Sequence, residues 1–293
     1  MEPVIGIIGG SGLYDIAGFE DAHWQQIQTP WGDPSDQILT GTLNGLRLAF
    51  LPRHGRGHVY TPSTVPYSAN IDALKRLGVT DIISLSATGS FREDMAPGDF
   101  VVIDQYIDRT RLREKTFFGP GCVAHVSLAH PTCPRLSELA AQAAETAGAR
   151  VHRGGTYLAM EGPQFSTLAE SKMYREVWGA DVIGMTNMPE AALAREAEIC
   201  YASVAMVTDY DSWHPDHGEV TISQIIETMG GNGEKARGTI QALPSLIPST
   251  REVCPHGCDR ALEYAIMTTP DRRDPALVAK LDAVAGRVLG ETK

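Results

Sequence analysis

The sequence lacks long hydrophobic runs and is poor in basic charge. No stretch approaches the roughly 20 apolar residues that a membrane-spanning helix requires, so a helical membrane protein is not expected. Lysine and arginine number 25 against 36 acidic residues, which gives a net charge of −11. Because nucleic-acid binding draws much of its affinity from neutralised phosphates, this balance argues against nucleic acid and anionic membranes as partners. A small anionic ligand remains compatible with it, since local arginines and backbone N–H groups can bind one.

Cysteine is also scarce. The five cysteines are an odd number, and Cys122, Cys133 and Cys200 are widely spaced, which is typical of free thiols in a reducing compartment. Residues 1–4 lack the basic segment that opens a secretory signal. We therefore expect a cytoplasmic protein.

Apolar segments alternate with helical patterns along the chain. The 293 residues can bury roughly three quarters of the surface that the unfolded chain exposes, so neither disulfides nor a metal is needed merely to fold them. Strands alternating with helices predict an α/β domain with a central mixed sheet. The predicted strands cover residues 4–8, 48–51, 81–85, 100–103 and 202–208, and the predicted helices cover residues 68–76, 133–147, 189–198 and 222–229.

The composition changes after Ser249. We expect residues 1–249 to form one domain and residues 250–293 to form a C-terminal helical extension, which packs on that domain or on a neighbouring subunit. Cys254 and Cys258, with His256 between them, are compatible with a disulfide, half of a metal site or plain thiols. Plain thiols are the default interpretation.

A glycine-rich turn, Gly9-Gly10-Ser11-Gly12, directly follows the first predicted strand. Its backbone N–H groups can point at an anion. A dinucleotide fingerprint would need glycine where Asp15 stands, and a phosphate-binding P-loop would need a lysine that this turn lacks. The turn therefore fits a small anion or a simple tight junction, and a dehydrogenase is disfavoured.

The run Arg53-His54-Gly55-Arg56-Gly57-His58 follows another predicted strand end. Arginine offers a planar fork for phosphate, and histidine can hydrogen-bond an oxyanion or move a proton. The alternative is a solvated basic loop. No metal is expected here, because no helical segment or acidic ligand accompanies the two histidines.

Three more segments carry polar or aromatic groups beside turns. Residues 86–90, Ser-Ala-Thr-Gly-Ser, place hydroxyl groups at a predicted strand end, where open α/β sheets bind ligands. Residues 161–166 present Phe165 after a Gly-Pro turn, either as a wall for a base or as a core residue. Residues 184–190 lead into a helix whose start is either a simple N-cap at Thr186 or a seat for an anion.

Asp209 and Asp211 follow the apolar run that begins at Ala202. Residues two apart in an extended chain point the same way, so the pair is predicted to grip one edge of a planar ligand. A solvated loop is the alternative.

Taken together, these segments resemble the 5′-methylthioadenosine phosphorylases within the trimeric purine nucleoside phosphorylase group. The matching segments occur in family order over roughly residues 4–245, and their joint occurrence is far more specific than any one of them. They are IGIIGGSGL, TPWGDPSD, LPRHGRGH, NIDALKRLG, PGDFVVIDQYIDRT, EGPQFS, DVIGMTNMPEAALAREAEICYAS and TDYDSW. Departures include Ser11 where some relatives have threonine, Pro66 where many have asparagine, Thr88 in place of a common cysteine, and the unmatched tail.

The resemblance implies a role for each matching residue. Phosphate would be bound by Ser11, Arg53, His54, Ser86, Ala87 and Thr186. Met185 would contact the ribose, Phe165 would stack on the base, and Asp209 and Asp211 would bind the purine edge. Ser166 and Ile222 would set specificity, and Ile222, Ile225, Ile226 and His125 would line the 5′ end. Arg53, His54 and Asp209 would be the catalytic residues.

The resemblance also implies the reaction. Phosphate would cleave S-methyl-5′-thioadenosine to adenine and 5-methylthioribose 1-phosphate, in purine and methionine salvage, with no cofactor and with a homotrimer or a dimer of trimers as the assembly. Asp209 would donate a proton to N7 of the departing base. Asp211 would accept from the exocyclic amino group, which a 6-oxo purine lacks. The alternatives are a phosphorylase for methylthioinosine or for purine nucleosides generally, and a nucleoside-binding protein without activity.

Overall fold

The computed structural model describes residues 2–10, 12–13, 15–215 and 222–290, with the backbone alone described at 222–224 and 227. These residues form eleven strands and seven α-helices. The strands are β1 (Val4–Gly9), β2 (Phe19–Gln25), β3 (Ile38–Leu43), β4 (Leu46–Pro52), β5 (Asp81–Ser90), β6 (Phe100–Ile103), β7 (Gln105–Asp108), β8 (Val151–Arg153), β9 (Thr156–Ala159), β10 (Val182–Gly184) and β11 (Cys200–Asp209). The helices are α1 (Tyr67–Arg76), α2 (Pro134–Thr146), α3 (Leu168–Glu176), α4 (Asn187–Glu196), α5 (Ile222–Leu246), α6 (Pro275–Lys280) and α7 (Asp282–Leu289).

All eleven strands join one mixed sheet. Its main path runs β2-β3-β4-β1-β5-β10-β9-β7, and β11 pairs with both β5 and β6. Strands β4, β1, β5 and β11 are parallel neighbours, whereas β10 runs antiparallel to β5. The predicted α/β class with a central mixed sheet and a C-terminal helical extension is confirmed.

Helices cover both faces of the sheet, which explains why its central strands are apolar throughout. Successive side chains of β1 point to opposite faces: Val4 and Ile8 lie in the core beneath α1, α4 and α7, while Ile5 and Ile7 lie in the core beneath α2 and α5. The sheet thus stands between two helical layers and is fixed in register by both. The fixed register determines which residues stand at the carboxyl end of each parallel strand.

The prediction that the helix beginning at residue 222 ends at residue 229 is wrong. Helix α5 continues through the glycines to Leu246, although each glycine lowers helix stability by about 1 kcal/mol relative to alanine. Packing outweighs this cost. Asn232 is buried and donates from Nδ2 to the Val207 carbonyl at 3.0 Å, and Ile240 and Leu243 enter the core shared with α2. Close approach also favours glycine at Gly238, where an added Cβ would lie 2.9 Å from the Ala147 side chain.

Residues 86–90 lie at a strand end, as predicted, but the strand itself extends beyond the predicted residues 81–85, and residues 86–90 are the last five residues of β5. They remain extended because β11 pairs along β5 as far as Gly89, and β10 pairs with Gly89 and Ser90 from the antiparallel direction. The hydroxyl groups of this segment are therefore held by the sheet.

The C-terminal extension lies against the body of the same chain. The Leu262 N–H and the Arg287 guanidinium both donate to Glu198, and Asp282 pairs with Arg76 of α1. The division at residue 249 stays a prediction, since the extension shares a core with the rest of the chain. Among the described residues, none of the helices has the length and apolar content needed to cross a bilayer.

Candidate active site

Three of the predicted anion-binding segments lie at one edge of the sheet. Parallel pairing puts Gly9 of β1 opposite Pro52 of β4, and Ile8 opposite Ser84 of β5. The Arg53 N–H then donates to the Gly9 carbonyl at 3.0 Å, which joins the glycine turn to the arginine–histidine loop. Because parallel strands end at the same edge, segments far apart in sequence meet there. Ser11 lies outside the described residues.

Arg53 is buried and paired with Glu190. Its Nε donates to Glu190 Oε2 at 2.8 Å and its Nη2 donates to Ser84 Oγ at 2.6 Å. Burial alone would lower the pKa of Arg53, but the charge of Glu190 raises it overall. Nη1 contacts one carbonyl, that of Leu85, so one of its two hydrogens remains for a further acceptor.

Glu190 is the main residue of this edge that sequence analysis missed. Its carboxylate is 2 % exposed and also accepts hydrogen bonds from the Ser84 and Tyr201 hydroxyls. A buried carboxylate is stable there because it is fully hydrogen-bonded and paired with a cation. In the sequence, Glu190 is visible only as an acidic residue in the first turn of a predicted helix, and such residues are common there.

His54 is neutral near pH 7. Burial lowers its pKa to about 4, and the positive charge of Arg53 adds to the shift. Its Nδ1 lies 2.9 Å from the Tyr60 carbonyl, which can only accept, so the proton sits on Nδ1. Nε2 therefore presents a lone pair, and the ring is held in place by stacking on His58 at 4.2 Å between centroids. His54 thus acts as an acceptor at Nε2.

Ser86, Ala87 and Thr186 lie next to this loop. Ser86 is buried and its Oγ contacts Asn187 Oδ1 at 3.2 Å, whereas Ala87 is the one exposed residue of β5. Thr186 precedes α4, and among the described residues its side chain makes no capping hydrogen bond. The simple N-cap interpretation of Thr186 is therefore not supported, and its own backbone N–H donates to the Tyr157 hydroxyl at 3.4 Å.

Asp209 and Asp211 lie at the end of β11, but not as two residues of one straight strand. Strand β11 ends at Asp209, and Asp211 has a φ of 50° in a short 3₁₀ turn. The Asp211 N–H donates to Asp209 Oδ1 at 2.8 Å, and the Thr208 hydroxyl contacts Asp209 Oδ2 at 2.7 Å. The predicted pairing of the two acids holds, but a hydrogen-bonded turn produces it in place of strand alternation.

Both carboxyl groups have raised pKa values. Burial raises the pKa of Asp209, and burial together with the charge of Asp209 raises the pKa of Asp211 to about 6. Asp211 Oδ2 is buried and makes no hydrogen bond of ordinary geometry among the residues that the structure describes, although the Ser171 hydroxyl lies near enough to the carboxyl to lower its pKa. An unsatisfied buried acceptor indicates a place for a ligand donor.

Gly89 makes room for the acid pair. A Cβ at this position would lie 2.9 Å from Asp209 Oδ1 and 3.2 Å from Asp211 Cβ. Glycine at position 89 therefore leaves both carboxylates in place, whereas any residue with a Cβ would displace them. The sequence showed this glycine only as part of a small-residue segment.

Phe165 and Ser166 are brought to the acid pair. The Ser212 hydroxyl donates to the Ser166 carbonyl at 3.0 Å, which ties this loop to the 3₁₀ turn. Phe165 is 38 % exposed, so the core interpretation of this ring is wrong, and its role as a wall for a base stays a prediction. Ser166 is buried. The side chain of Ile222 lies outside the described residues, Ile226 is exposed, and so is His125.

Met185 is held between these groups. Its carbonyl accepts from Arg113, and its sulfur occupies the space beside Gly162, where a Cβ would lie 2.5 Å away. Arg113 also donates to the Met188 carbonyl at 2.7 Å, and it pairs with Glu161. Arg113 is a functional candidate that the sequence does not reveal, since it is one arginine among several in a polar segment.

The family model described as the phosphorylase superfamily matches residues 4–243, and the chain belongs to that superfamily.

Full-length relatives place the chain within that superfamily. It is 70 % identical over 289 residues to the S-methyl-5′-thioadenosine phosphorylase of Cereibacter sphaeroides, covering 99 % of each chain. It is 59 % identical to the enzyme of that name from Bradyrhizobium diazoefficiens, covering 98 % of this chain and 99 % of the relative. The chain belongs to the S-methyl-5′-thioadenosine phosphorylase family.

Solved structures agree with this assignment. A methylthioadenosine phosphorylase from an antarctic soil metagenomic library superimposes with a TM-score of 0.91 at 46 % identity, covering 97 % of this chain and 99 % of that one. Methylthioadenosine phosphorylase from Schistosoma mansoni, solved in complex with adenine, gives a TM-score of 0.83 at 36 % identity over 88 % of this chain and 96 % of that one.

Proposed function

We propose that this chain catalyses the reversible phosphorolysis of S-methyl-5′-thioadenosine to adenine and 5-methylthioribose 1-phosphate. One observation carries the proposal: a buried acid pair with raised pKa values stands at the same sheet edge as the Arg53–His54 loop and the end of β5. The names of its full-length relatives support the same reaction. Inorganic phosphate is the co-substrate, and the reaction takes no organic cofactor and no metal.

Phosphate binds between the loop ends in this proposal. Ser11, Ser86, Ala87 and Thr186 supply hydroxyl and backbone donors, and Arg53 supplies its remaining Nη1 hydrogen. His54 accepts a hydrogen bond from a phosphate hydroxyl at Nε2, because its own proton is held by Tyr60. Arg53 and His54 thus orient the nucleophile, and positioning is their main contribution to rate.

Asp209 and Asp211 recognise the purine base and assist its departure. As the N9–C1′ bond breaks and a phosphate oxygen bonds C1′, the electron pair goes to the purine, and Asp209 delivers its proton to N7. Asp211 accepts a hydrogen bond from the exocyclic amino group at Oδ2, the oxygen that makes no hydrogen bond of ordinary geometry among the described residues. A 6-oxo purine has no hydrogen to donate there, so the site selects adenine.

The remaining substrate contacts follow the same edge. Phe165 stacks on the base, the Met185 backbone contacts the ribose hydroxyls, and Ser166 and Ile222 set specificity. The proposed assembly is a homotrimer, and the proposed location is the cytoplasm. A neighbouring subunit would close the pocket for the 5′ end of the substrate, where this chain leaves His125 and Ile226 exposed.

Phosphate-dependent release of adenine from S-methyl-5′-thioadenosine tests the proposal. We expect turnover that requires phosphate and is lower with adenosine and with S-methyl-5′-thioinosine. Preference for the inosine compound would refute the adenine assignment. Binding without base release on addition of phosphate would refute an enzymatic role altogether.

Asp209→Asn and Asp211→Asn form a matched pair for the two acid roles. The first should lower kcat with little change in base preference, because it removes the proton donor. The second should shift preference toward 6-oxo purines, because an amide can donate where the carboxylate accepts. Equal effects of both variants on kcat and on preference would contradict the division of roles.

A further inference from the structure

Four of the five cysteines converge at the end of the sheet opposite the acid pair. Cys133 directly precedes α2, Cys200 opens β11, and Cys254 and Cys258 belong to the C-terminal extension. All four side chains are buried, and their four sulfur atoms lie within 4.8 Å of one another. Plain thiols were the default for the last two, because the sequence gives no sign that Cys133 and Cys200 join them.

The spacing of the sulfurs fits one metal ion. Cys133 Sγ and Cys254 Sγ are 3.7 Å apart. Four ligands at about 2.3 Å from a tetrahedral zinc would stand about 3.8 Å from one another, whereas a disulfide brings two sulfurs to about 2.05 Å. An iron–sulfur cluster places several irons and sulfides between its cysteines and needs sulfurs further apart than this group allows.

The surroundings suit four thiolates. Arg251 Nη2 donates to Cys200 Sγ at 3.6 Å. Donors around metal-bound sulfur offset its negative charge and fix ligand orientation. Cys133 also stands at the start of a helix, where the partial positive charge favours a thiolate.

The loop from Cys254 to Cys258 can supply two metal ligands from one short segment of the chain. Cys254 and Cys258 are separated by Pro-His-Gly, and Gly257 has a φ of 70°, which lets the loop reverse. The Gly257 N–H donates to the Cys254 carbonyl at 3.0 Å, and Asp259 accepts from the Cys254 N–H at 2.9 Å. The loop therefore presents both sulfurs on one side.

We propose that Cys133, Cys200, Cys254 and Cys258 bind one zinc ion as a structural site. Four thiolates fill the tetrahedral positions and leave none for substrate, so the ion stabilises and does not catalyse. Binding releases the thiol protons. The site lies about 30 Å along β11 from Asp209, and it fastens the C-terminal extension to α2 and β11.

Metal analysis of the full chain tests the site directly. Protein is produced with zinc in the medium, kept under reductant, dialysed and measured by elemental mass spectrometry. We expect about one zinc per chain in the unaltered protein and in Cys122→Ser. Cys122 is the matched control, since it is buried but lies outside the group. The double variant Cys254→Ser/Cys258→Ser should lose the zinc.

Cobalt replacement keeps the test decisive if the double variant folds poorly. Co(II) exchanged into the unaltered chain should show thiolate charge-transfer bands and the strong visible bands of tetrahedral geometry, and added zinc should remove both. Disulfides among the four cysteines under reductant, four free alkylatable thiols without zinc, or zinc retained by the double variant would each overturn the proposal.

Discussion

Replacing Asp211 by asparagine should stabilise the substrate-free protein at neutral pH. Burial raises the pKa of Asp211 from an ordinary 3.8 to about 6. The folded chain thus binds this proton more tightly than the unfolded chain, so the resulting stability is fully present below about pH 4 and is lost as pH rises through about 6. Since each pKa unit corresponds to about 1.4 kcal/mol, the ionised carboxylate costs the folded state about 3 kcal/mol above pH 6.

The asparagine side chain has the same shape without the charge. It must still find partners in a buried place, so we expect a gain of about 1–3 kcal/mol in the free energy of unfolding at pH 8. At pH 5 the gain should fall to about half, because the wild-type carboxyl is then protonated when folded. Urea unfolding of both proteins at the two pH values measures this.

Asp94→Asn is the control for this experiment. Asp94 is exposed and pairs with Arg92, so its replacement should change stability by at most about 1 kcal/mol and never increase it. An Asp211→Asn protein that is less stable than wild type at pH 8, or that gains equally at both pH values, would refute the reasoning. Activity on S-methyl-5′-thioadenosine should fall in the same variant, which would make Asp211 a case of function kept at a cost in stability.

Three further outcomes follow from the same edge of the sheet. Glu190→Gln should lower the free energy of unfolding by about 3–5 kcal/mol in urea, because Arg53 would stay buried without its partner, and a loss below about 1 kcal/mol would contradict this. Gly89→Ala should lower kcat/KM for S-methyl-5′-thioadenosine by about 100-fold by displacing Asp209, and unchanged kinetics would contradict the close contact. The stability supplied by neutral His54 should be present above about pH 6.5 and be lost as pH falls through about 4, so His54→Gln should show a shallower acid dependence than wild type.

The sequence predicted the parts of the fold that depend on local pattern. Strand β1 and helix α1 were found within a few residues, because an apolar run or a helical period identifies them. Helix α5 was cut short at its glycines, because its stability comes from packing against α2 and from the Asn232 bond to β11. The end of β5 was missed for a similar reason, since small residues such as Gly89 become a strand through their neighbours.

The candidate site shows the same division. Residues of distinctive type, such as Arg53 and Asp209, were found from the sequence because their chemistry is visible in one segment. Glu190 and Arg113 were not, since each looks ordinary until the fold buries it beside its partner. The group that includes Cys133 and Cys254 was missed for the same reason, as the two are brought together by contacts across 121 positions of the chain.

The proton on His54 Nδ1 has a consequence for the choice of anion. A ring whose Nε2 can only accept needs a ligand that brings its own hydrogen, and phosphate near neutral pH carries one on oxygen. Sulfate has the same shape and charge but no hydrogen to give, so it would leave Nε2 facing an oxygen lone pair. Because Glu190 already balances the charge of Arg53, attraction between net charges does little to offset that repulsion. We therefore expect sulfate to be a poor competitor of phosphate, while arsenate, which is protonated like phosphate, should substitute for it.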